Sequence, residues 1–281
     1  MSRHCRDKLF FIFGSPHPNQ SRQRYNAGLI SFRGTSKSFA AYTAVADLNF
    51  DVPRGSFVAL VGPSGCGKST ILNLAAGLIA PTAGQIRIAD QPLAGLNTQA
   101  TYLFQQDALL PWKTLLENVE LAPRLAGKDG RPEALHWLQK VGLADFADYY
   151  PEQVSGGMKK RAAMAQNWMA GRDILLMDEP FSALDIHTRQ QMEDELLALW
   201  TEERRTVLFV THDLEEAIAL SDLVLVLSAG PGSTVIGQYP VPLTRPRPVK
   251  ELRLDPQFND LYRAIWNDLR PQVAKGAQHV R

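Results

Sequence analysis

The chain has 281 residues, enough for one large domain or two smaller ones around a substantial apolar core. With 30 basic and 29 acidic residues the formal net charge is +1, so no global field draws nucleic acid, and no nucleic-acid partner is expected. Hydrophobic residues make up 45% of the chain, yet no apolar run approaches the roughly 20 residues that cross a bilayer, so the chain is expected to be soluble on its own. The 2 cysteines, Cys5 and Cys66, exclude a disulfide framework and point to a reducing compartment.

Residues 1–28 carry Arg3, Arg6, Lys8, Arg22 and Arg24 against the single acid Asp7. They read as a disordered extension or as a start codon placed too early, with a basic tail on anionic lipid as the alternative. The apolar run at residues 9–13 is shorter than a secretory core segment and is followed by Gly14, Ser15 and Pro16, which argues against export. From Leu29 the pattern becomes globular. Runs rich in Val, Ile and Leu at 56–61, 85–88, 173–177, 206–210 and 223–227 alternate with helical stretches, and predict strands buried on both faces of a mainly parallel sheet. Between Asp107 and Val154 the strand-like runs vanish and helical spacing takes over, as at 132–141, which predicts an inserted helical lobe. A helix over 187–205 places Met192, Leu196, Leu199 and Trp200 on one stripe. A C-terminal helix opening at Asp255-Pro256 places Phe258, Leu261, Tyr262, Ile265, Trp266 and Leu269 on one face, read as core packing with a docking face for a partner as the alternative.

The chemistry begins at Gly62, Pro63, Ser64, Gly65, Cys66, Gly67, Lys68, Ser69 and Thr70, directly after the apolar run that ends at Val61. This is a phosphate-binding loop. Its glycines let backbone N–H groups turn inward around phosphates, Lys68 reaches the β and γ phosphates, and the Ser69 hydroxyl suits magnesium. The helix that follows adds its positive end. Cys66 reads as a tolerated small residue whose thiol lies where an adduct would obstruct the phosphates. Downstream, an apolar strand ends in Asp178 and Glu179. Phosphoryl transfer needs an acid at such a strand end to hold Mg2+ and a neighbour to orient the attacking water, roles that suit Asp178 and Glu179 respectively. Ser155, Gly156 and Gly157 run straight into a helix over 159–170, and their free N–H groups, hydroxyl and dipole end make a second anion-binding element.

In order along the chain, the phosphate loop, Gln105, Ser155 to Gly157, Asp178-Glu179, Ser182 to Asp185 and His212 resemble the ATP-binding subunit of an ABC transporter. The resemblance implies an α/β fold: a P-loop NTPase core with a mostly parallel sheet, an antiparallel β subdomain and an inserted helical subdomain. The ATPase domain then covers about 29–230, the helical subdomain about 107–158, and 231–281 form a C-terminal extension with an amphipathic helix. It implies ATP and Mg2+ as cofactors and two copies facing head to tail, each ATP held by the phosphate loop of one and the Ser155 helix of the other. Phe39 resembles the aromatic that stacks on adenine, with Tyr42 as the fallback. Ser69, Gln105 and Asp178 resemble the residues around magnesium, and Gln105 also links the core to the helical lobe. Glu179 resembles the catalytic base, His212 the residue bridging it to the γ phosphate, and Asp185 part of a turn that contacts the opposite copy.

Two positions depart from the family pattern: Met158 stands where a glutamine amide is usual, and Gln166 where many relatives carry arginine. The residues Leu109 to Trp112, 183–189 and the helix at 258–269 resemble the branch that serves import of nitrate, sulfonate, taurine and similar solutes. That branch implies separate integral-membrane permease subunits docked near Gln105 and the lobe, a periplasmic solute-binding protein, and a place on the cytoplasmic face of the inner membrane. A rival reading is a soluble ABC-type ATPase that clamps ribosomes or DNA, but such proteins commonly carry tandem cassettes or a long coiled-coil insertion, and neither is seen. A P-loop kinase or GTPase leaves Ser155 to Gly157 and His212 without a role.

Overall fold

The computed structural model describes residues 28–279 except 107, 183, 246, 248 and 253. The expectations for the N-terminal extension, including Cys5 and the 9–13 run, lie outside the described residues. The chain opens with a long antiparallel hairpin, β1 (Gly28–Phe39) and β2 (Tyr42–Pro53). Next come β3 (Phe57–Val61), α1 (Lys68–Ala75), β4 (Ala83–Ile88), β5 (Gln91–Pro92) and β6 (Ala100–Leu103). The helical lobe contributes α2 (Leu115–Val119), α3 (Leu121–Leu125), α4 (Arg131–Lys140) and, running beyond the expected limit near 158, α5 (Gly156–Met169). The remaining elements are β7 (Ile174–Asp178), α6 (Ile186–Glu203), β8 (Thr206–Val210), α7 (Leu214–Leu220), β9 (Leu223–Leu227), β10 (Val235–Pro240), α8 (Val249–Leu252) and α9 (Pro256–His279).

These strands form a six-stranded sheet in the order β10-β9-β3-β8-β7-β6, parallel except for β10, and a four-stranded antiparallel sheet in the order β2-β1-β4-β5. Four of the five apolar runs enter the parallel sheet as expected. The run at 85–88 does not: it lies in β4, paired antiparallel with β1 through Ile30↔Ile88 and Phe32↔Ile86. Only alternate residues of that run, Ile86 and Ile88, are buried, which is the signature of a one-sided sheet. The short β6 escaped the sequence reading because Ala100, Thr101 and Tyr102 are all partly exposed. Across the facing strands the Phe32 and Phe50 rings stack with centroids 4.4 Å apart.

Period-two alternation along β3 explains the layering. Phe57, Ala59 and Val61 face a core shared with the helical lobe, α6, α7 and α9, whereas Val58 and Leu60 face a second core shared with α1 and the antiparallel sheet. Phe57 meets Trp200 and Phe209 edge-on at 5.7 and 5.8 Å, contacts that contribute about 0.5–1.5 kcal/mol each beyond area burial. The predicted stripe of α6 is buried at Met192, Leu196, Leu199 and Trp200. On α9, Phe258, Ile265 and Leu269 are buried and Leu261 and Tyr262 pack beside them, but Trp266 is 39% exposed. At 100° per residue Trp266 sits about 80° around the helix from Phe258, at the margin of the face. The segment leading into α9 is pinned to the core by Arg245, which bonds Asp222, and by Arg247, whose guanidinium donates to the carbonyls of Ile218, Ala219 and Ser221 at the end of α7.

In the lobe, Thr114 and Glu117 form a capping box at the start of α2, and the fully buried Asn118 accepts from Leu110 N while donating to the carbonyls of Leu110 and Lys113. The Gln166 amide donates to Asn118 O at 3.0 Å, so this departure from the family pattern ties α5 to α2. Met158 leans against the lobe-side core.

Two buried polar groups stand out. Cys66 is 1% exposed and belongs to the core around α1; a Cβ built on Gly62 would lie 2.7 Å from its Sγ. The thiol is therefore tucked beneath the loop rather than facing the phosphates, which corrects the sequence expectation. Burial pushes its pKa up, against the pull of nearby Lys68. With Cys5 replaced by serine, a thiol reagent should label native protein at least about tenfold more slowly than unfolded protein. Equal rates would place the thiol at the surface.

Glu193 is 3% exposed in a cavity of about 210 Å³ lined also by Arg189, Asp213, Glu215, Glu216 and Phe258. Burial first, and then the Glu216 and Asp213 charges, raise its pKa to about 8, while burial raises Glu216 to about 7. Both carboxyls hold protons more tightly in the folded chain, so their contribution is fully present below about pH 4.5 and is lost as pH rises toward 8. Glu193→Gln should raise stability at pH 8 by on the order of 1 kcal/mol or more and leave it little changed at pH 5, as read from denaturation midpoints.

Candidate active site

The phosphate loop joins the C-terminal end of β3 to the N-terminus of α1 in the manner of a strand-loop-helix anion site. Gly67, the N-cap of α1, has φ 93°, and a Cβ there would lie 2.6 Å from the Val45 side chain and 3.2 Å from Ala44 O. Only glycine fits that position. Lys68 is buried, and its Nζ donates to the carbonyls of Gly62 at 2.8 Å and Pro63 at 3.0 Å, spanning the loop. Gly62 and Pro63 are buried beside Cys66, Ser64 and Gly65 are exposed at the rim, and Ser69 and Thr70 lie in the first turn of α1.

Because β8 pairs with both β3 and β7, the strand ends bring Asp178 to the same edge of the sheet. Its carboxylate is hydrogen-bonded by the Ser69 side chain and by Tyr102 Oη at 3.3 Å. Burial, with a smaller push from Glu179, raises its pKa against those two hydrogen bonds and the Lys68 charge. A hydroxyl and a carboxylate side by side are hard oxygen donors of the kind magnesium takes, so the residues present fit that ion. Tyr102, which the sequence reading did not single out, stacks on Phe104 with centroids 4.1 Å apart, and burial beside Asp178 raises its pKa.

Glu179 has a left-handed backbone, φ 43°, a conformation that costs a non-glycine residue on the order of 1 kcal/mol. The turn is held by Glu179 N donating to Val210 O at 2.9 Å and by Ser182 Oγ donating to Glu179 O at 3.0 Å. The carboxylate Oε2 lies 3.1 Å from His212 Nδ1, which follows β8 on the neighbouring strand. Next to it, Asp213 caps α7 by accepting from Glu215 N and Glu216 N, and Arg189 Nη1 reaches Asp213 at 3.3 Å.

Gln105 is placed between core and lobe. Its carbonyl accepts from Lys160 Nζ of α5 and its amide lies 3.5 Å from Ser182 Oγ; among the described residues no hydrogen bond joins it to Ser69 or Asp178. Ser155 caps α5, its Oγ accepting from Met158 N at 3.3 Å. A Cβ added at Gly156 would meet no atom within 4 Å, while one at Gly157 would lie 2.9 Å from Thr188 Cγ2. No described hydrogen bond connects 155–157 to the phosphate loop of the same chain. Asp185 caps α6 by accepting from His187 N and Thr188 N. Of the aromatic pair, Phe39 and Tyr42 face each other across the β1–β2 turn, both about half exposed, with Lys37 Nζ 5.0 Å from the Phe39 ring centroid and Tyr42 Oη 3.5 Å from Gly65 O.

The family model of ABC transporters matches residues 45–182. The chain is 38% identical to the nitrate import ATP-binding protein NrtD of Synechococcus elongatus, across 84% of this chain and 89% of that one. It is 37% identical to the taurine import ATP-binding protein TauB of Yersinia pestis bv. Antiqua, across 82% and 92% respectively. Its fold matches the ATP-binding cassette MJ0796, solved as a dimer in a post-hydrolysis state bound to ADP and Pi, with a TM-score of 0.67 at 31% identity, covering 76% of this chain and all of that one. A strand-loop-helix cradle for phosphates, a carboxylate pair at the neighbouring strand end and these likenesses lead to one conclusion: the chain belongs to the ABC transporter family, as one of its ATP-hydrolysing cassettes.

Proposed function

We propose that two copies of this chain close around two ATP molecules, and that hydrolysis and reopening drive a membrane importer for a small solute of the nitrate, sulfonate or taurine class. The observation that carries the reading is the convergence of Lys68, Ser69, Asp178, Glu179 and His212 at the ends of three adjacent parallel strands. Phosphate oxygens sit in the N–H groups of the loop from Gly62 to Thr70, with Lys68 turning toward the γ phosphate. Ser69 and Asp178, with Gln105 as a further expected contact, would hold magnesium, which would supply neutralisation of the phosphate charge. Glu179 orients and deprotonates the attacking water, and His212 fixes the Glu179 carboxylate from the adjacent strand. The left-handed backbone at Glu179 supports this assignment, because strain of that kind clusters where a side chain must be aimed.

The second anion element completes the site from the other copy. The open surface at Gly156 and the exposed Ser155 favour a ligand arriving from outside the chain, and Asp185 stands at the start of a helix near that surface through Thr188 and Gly157. Phe39 or Tyr42 supports the adenine. Permease subunits dock where core meets lobe: Phe104, next to Gln105 in the chain, is 42% exposed, and Trp112 further along the same connection is 70% exposed. A periplasmic solute-binding protein belongs to the same system, and the chain works at the cytoplasmic face of the inner membrane. No helix among the described residues is long and apolar enough to cross a membrane, which supports separate permease subunits.

Glu179→Gln should bind ATP with near-normal affinity, lower turnover by on the order of 10²-fold or more, and accumulate as a dimer in the presence of ATP. Single-turnover hydrolysis and light scattering with and without nucleotide measure this. Turnover close to that of the parent chain would remove Glu179 from its role, and turnover per chain that ignores protein concentration would remove the shared site.

A further inference from the structure

The rear of the phosphate loop is held by parts of the chain far from the nucleotide motifs. The connection between β9 and β10, residues 228–234, folds back over it. Ser233 is fully buried, and its hydroxyl donates to the backbone carbonyl of Cys66 inside the phosphate loop. The same connection is sewn to β2 by Gly232 N to Thr43 O at 2.6 Å, Ser233 N to Ala44 O at 3.3 Å and Ala46 N to Ser233 O at 2.9 Å. A Cβ built on Gly230 would lie 3.3 Å from Tyr42 Oη and 3.5 Å from Gly65 O, so this backbone runs directly against the loop rim. Helix α9 then holds the connection from behind. Gln272 Oε1 accepts from Ala229 N at 3.1 Å, and one turn later Gly276 meets the loop itself, where a Cβ would stand 3.1 Å from Pro63 Cβ.

We propose that the C-terminal helix is a positioning element for ATP binding, acting on the phosphate loop through Gln272 and the 228–234 connection and directly through Gly276. Three carbonyl-bearing residues of the loop are affected. Cys66 O takes the Ser233 hydroxyl, Pro63 abuts Gly276, and Gly62 O together with Pro63 O receives Lys68 Nζ. Loss of a backing contact lets the loop carbonyls, and with them the inward-facing N–H groups and Lys68, relax away from the arrangement that fits phosphates. The cost falls on ATP binding, because none of the backing residues reaches Glu179 or His212. Gln272, Ser233 and Gly276 are thus positioning residues, and α9 offers a route by which anything that grips the C-terminal helix changes affinity for nucleotide. The proposal rests on the phosphate loop being the ATP site.

The test compares Gln272→Leu, Gln272→Glu, Ser233→Ala and Gly276→Leu with the parent chain, reading KM for ATP, kcat and nucleotide-free Tm. Gln272→Leu and Ser233→Ala should each raise KM about three- to tenfold with kcat changed less than twofold, the size expected for one buried hydrogen bond. Gln272→Glu keeps an oxygen acceptor for Ala229 N and should restore KM. Gly276→Leu should raise KM by pressing on Pro63. An unchanged KM in both Gln272→Leu and Gly276→Leu overturns the proposal, as does a KM that follows Tm alone and is not rescued by Gln272→Glu. Lys68→Ala serves as the control for the site: if ATP binding survives that change, the location of the nucleotide is wrong. If binding is lost there while the α9 variants bind normally, only the positioning role falls.

Discussion

The candidate phosphate site of this chain hangs from the register between β3, β8 and β7. Parallel pairing through Leu60↔Val210 and Val210↔Asp178 puts the C-terminal ends of three strands on one line. The phosphate loop, His212 and the Asp178-Glu179 pair each leave the sheet at that line. A slip of one residue in any of these strands would exchange the two cores, because Phe57, Ala59 and Val61 pack on one face while Val58 and Leu60 pack on the other. The same alternation that buries the strands on both sides therefore fixes the spacing of the candidate site groups.

Around that line the geometry is made by backbone as much as by side chains. Gly67 lets the loop turn into α1 against Val45, and Glu179 adopts a left-handed backbone anchored on Val210 O. The anchor is the carbonyl of Val210, two residues before His212, so the backbone that carries the imidazole also holds the residue whose carboxylate it meets. Burial works on the charges in different ways. It raises the pKa of Asp178, which Ser69 and Tyr102 counter with hydrogen bonds, whereas at Glu193 and Glu216 it outweighs the opposing Arg189 charge and, for Glu216, the Thr211 hydrogen bond.

The helical lobe and the C-terminal helix attach to this centre by different means. Lys160 reaches the Gln105 carbonyl and Arg161 reaches Glu195 at 2.8 Å, so the lobe is linked to the core by a few polar contacts as well as by shared apolar packing. Helix α9 buries Phe258, Ile265 and Leu269 against the core and finishes against Pro63. The lobe is thus joined to the candidate site through Gln105, and α9 ends against the phosphate loop.

Local sequence was sufficient for the parts whose physics is local. A glycine-rich turn with lysine and serine after an apolar strand, a serine-capped helix and two carboxylates at a strand end each carry their chemistry in consecutive residues, so the phosphate loop, the Ser155 element and the Asp178-Glu179 pair were legible from them, whereas the full fold class and the expected roles of Phe39, Gln105, Asp185 and His212 came from the resemblance to the family. The apolar stripe of α6 and the start of α9 at Asp255-Pro256 were legible for the same reason. What required the tertiary structure depends on partners distant in the chain. The alternation of Gln85, Ile86, Arg87 and Ile88 already marks a strand buried on one face, but its partner β1 is known only once the tertiary structure places it alongside. The direction of the Cys66 thiol follows from how the loop curls over Gly62, and the contacts of Tyr102, Gln166, Ser233 and Gln272 follow from packing between elements that share no motif. Residue types set which interactions each segment is able to make, but the two packed sheets and their two cores decide which of them meet, because a hydrogen bond to a backbone carbonyl far along the chain leaves no pattern in the residue that accepts it.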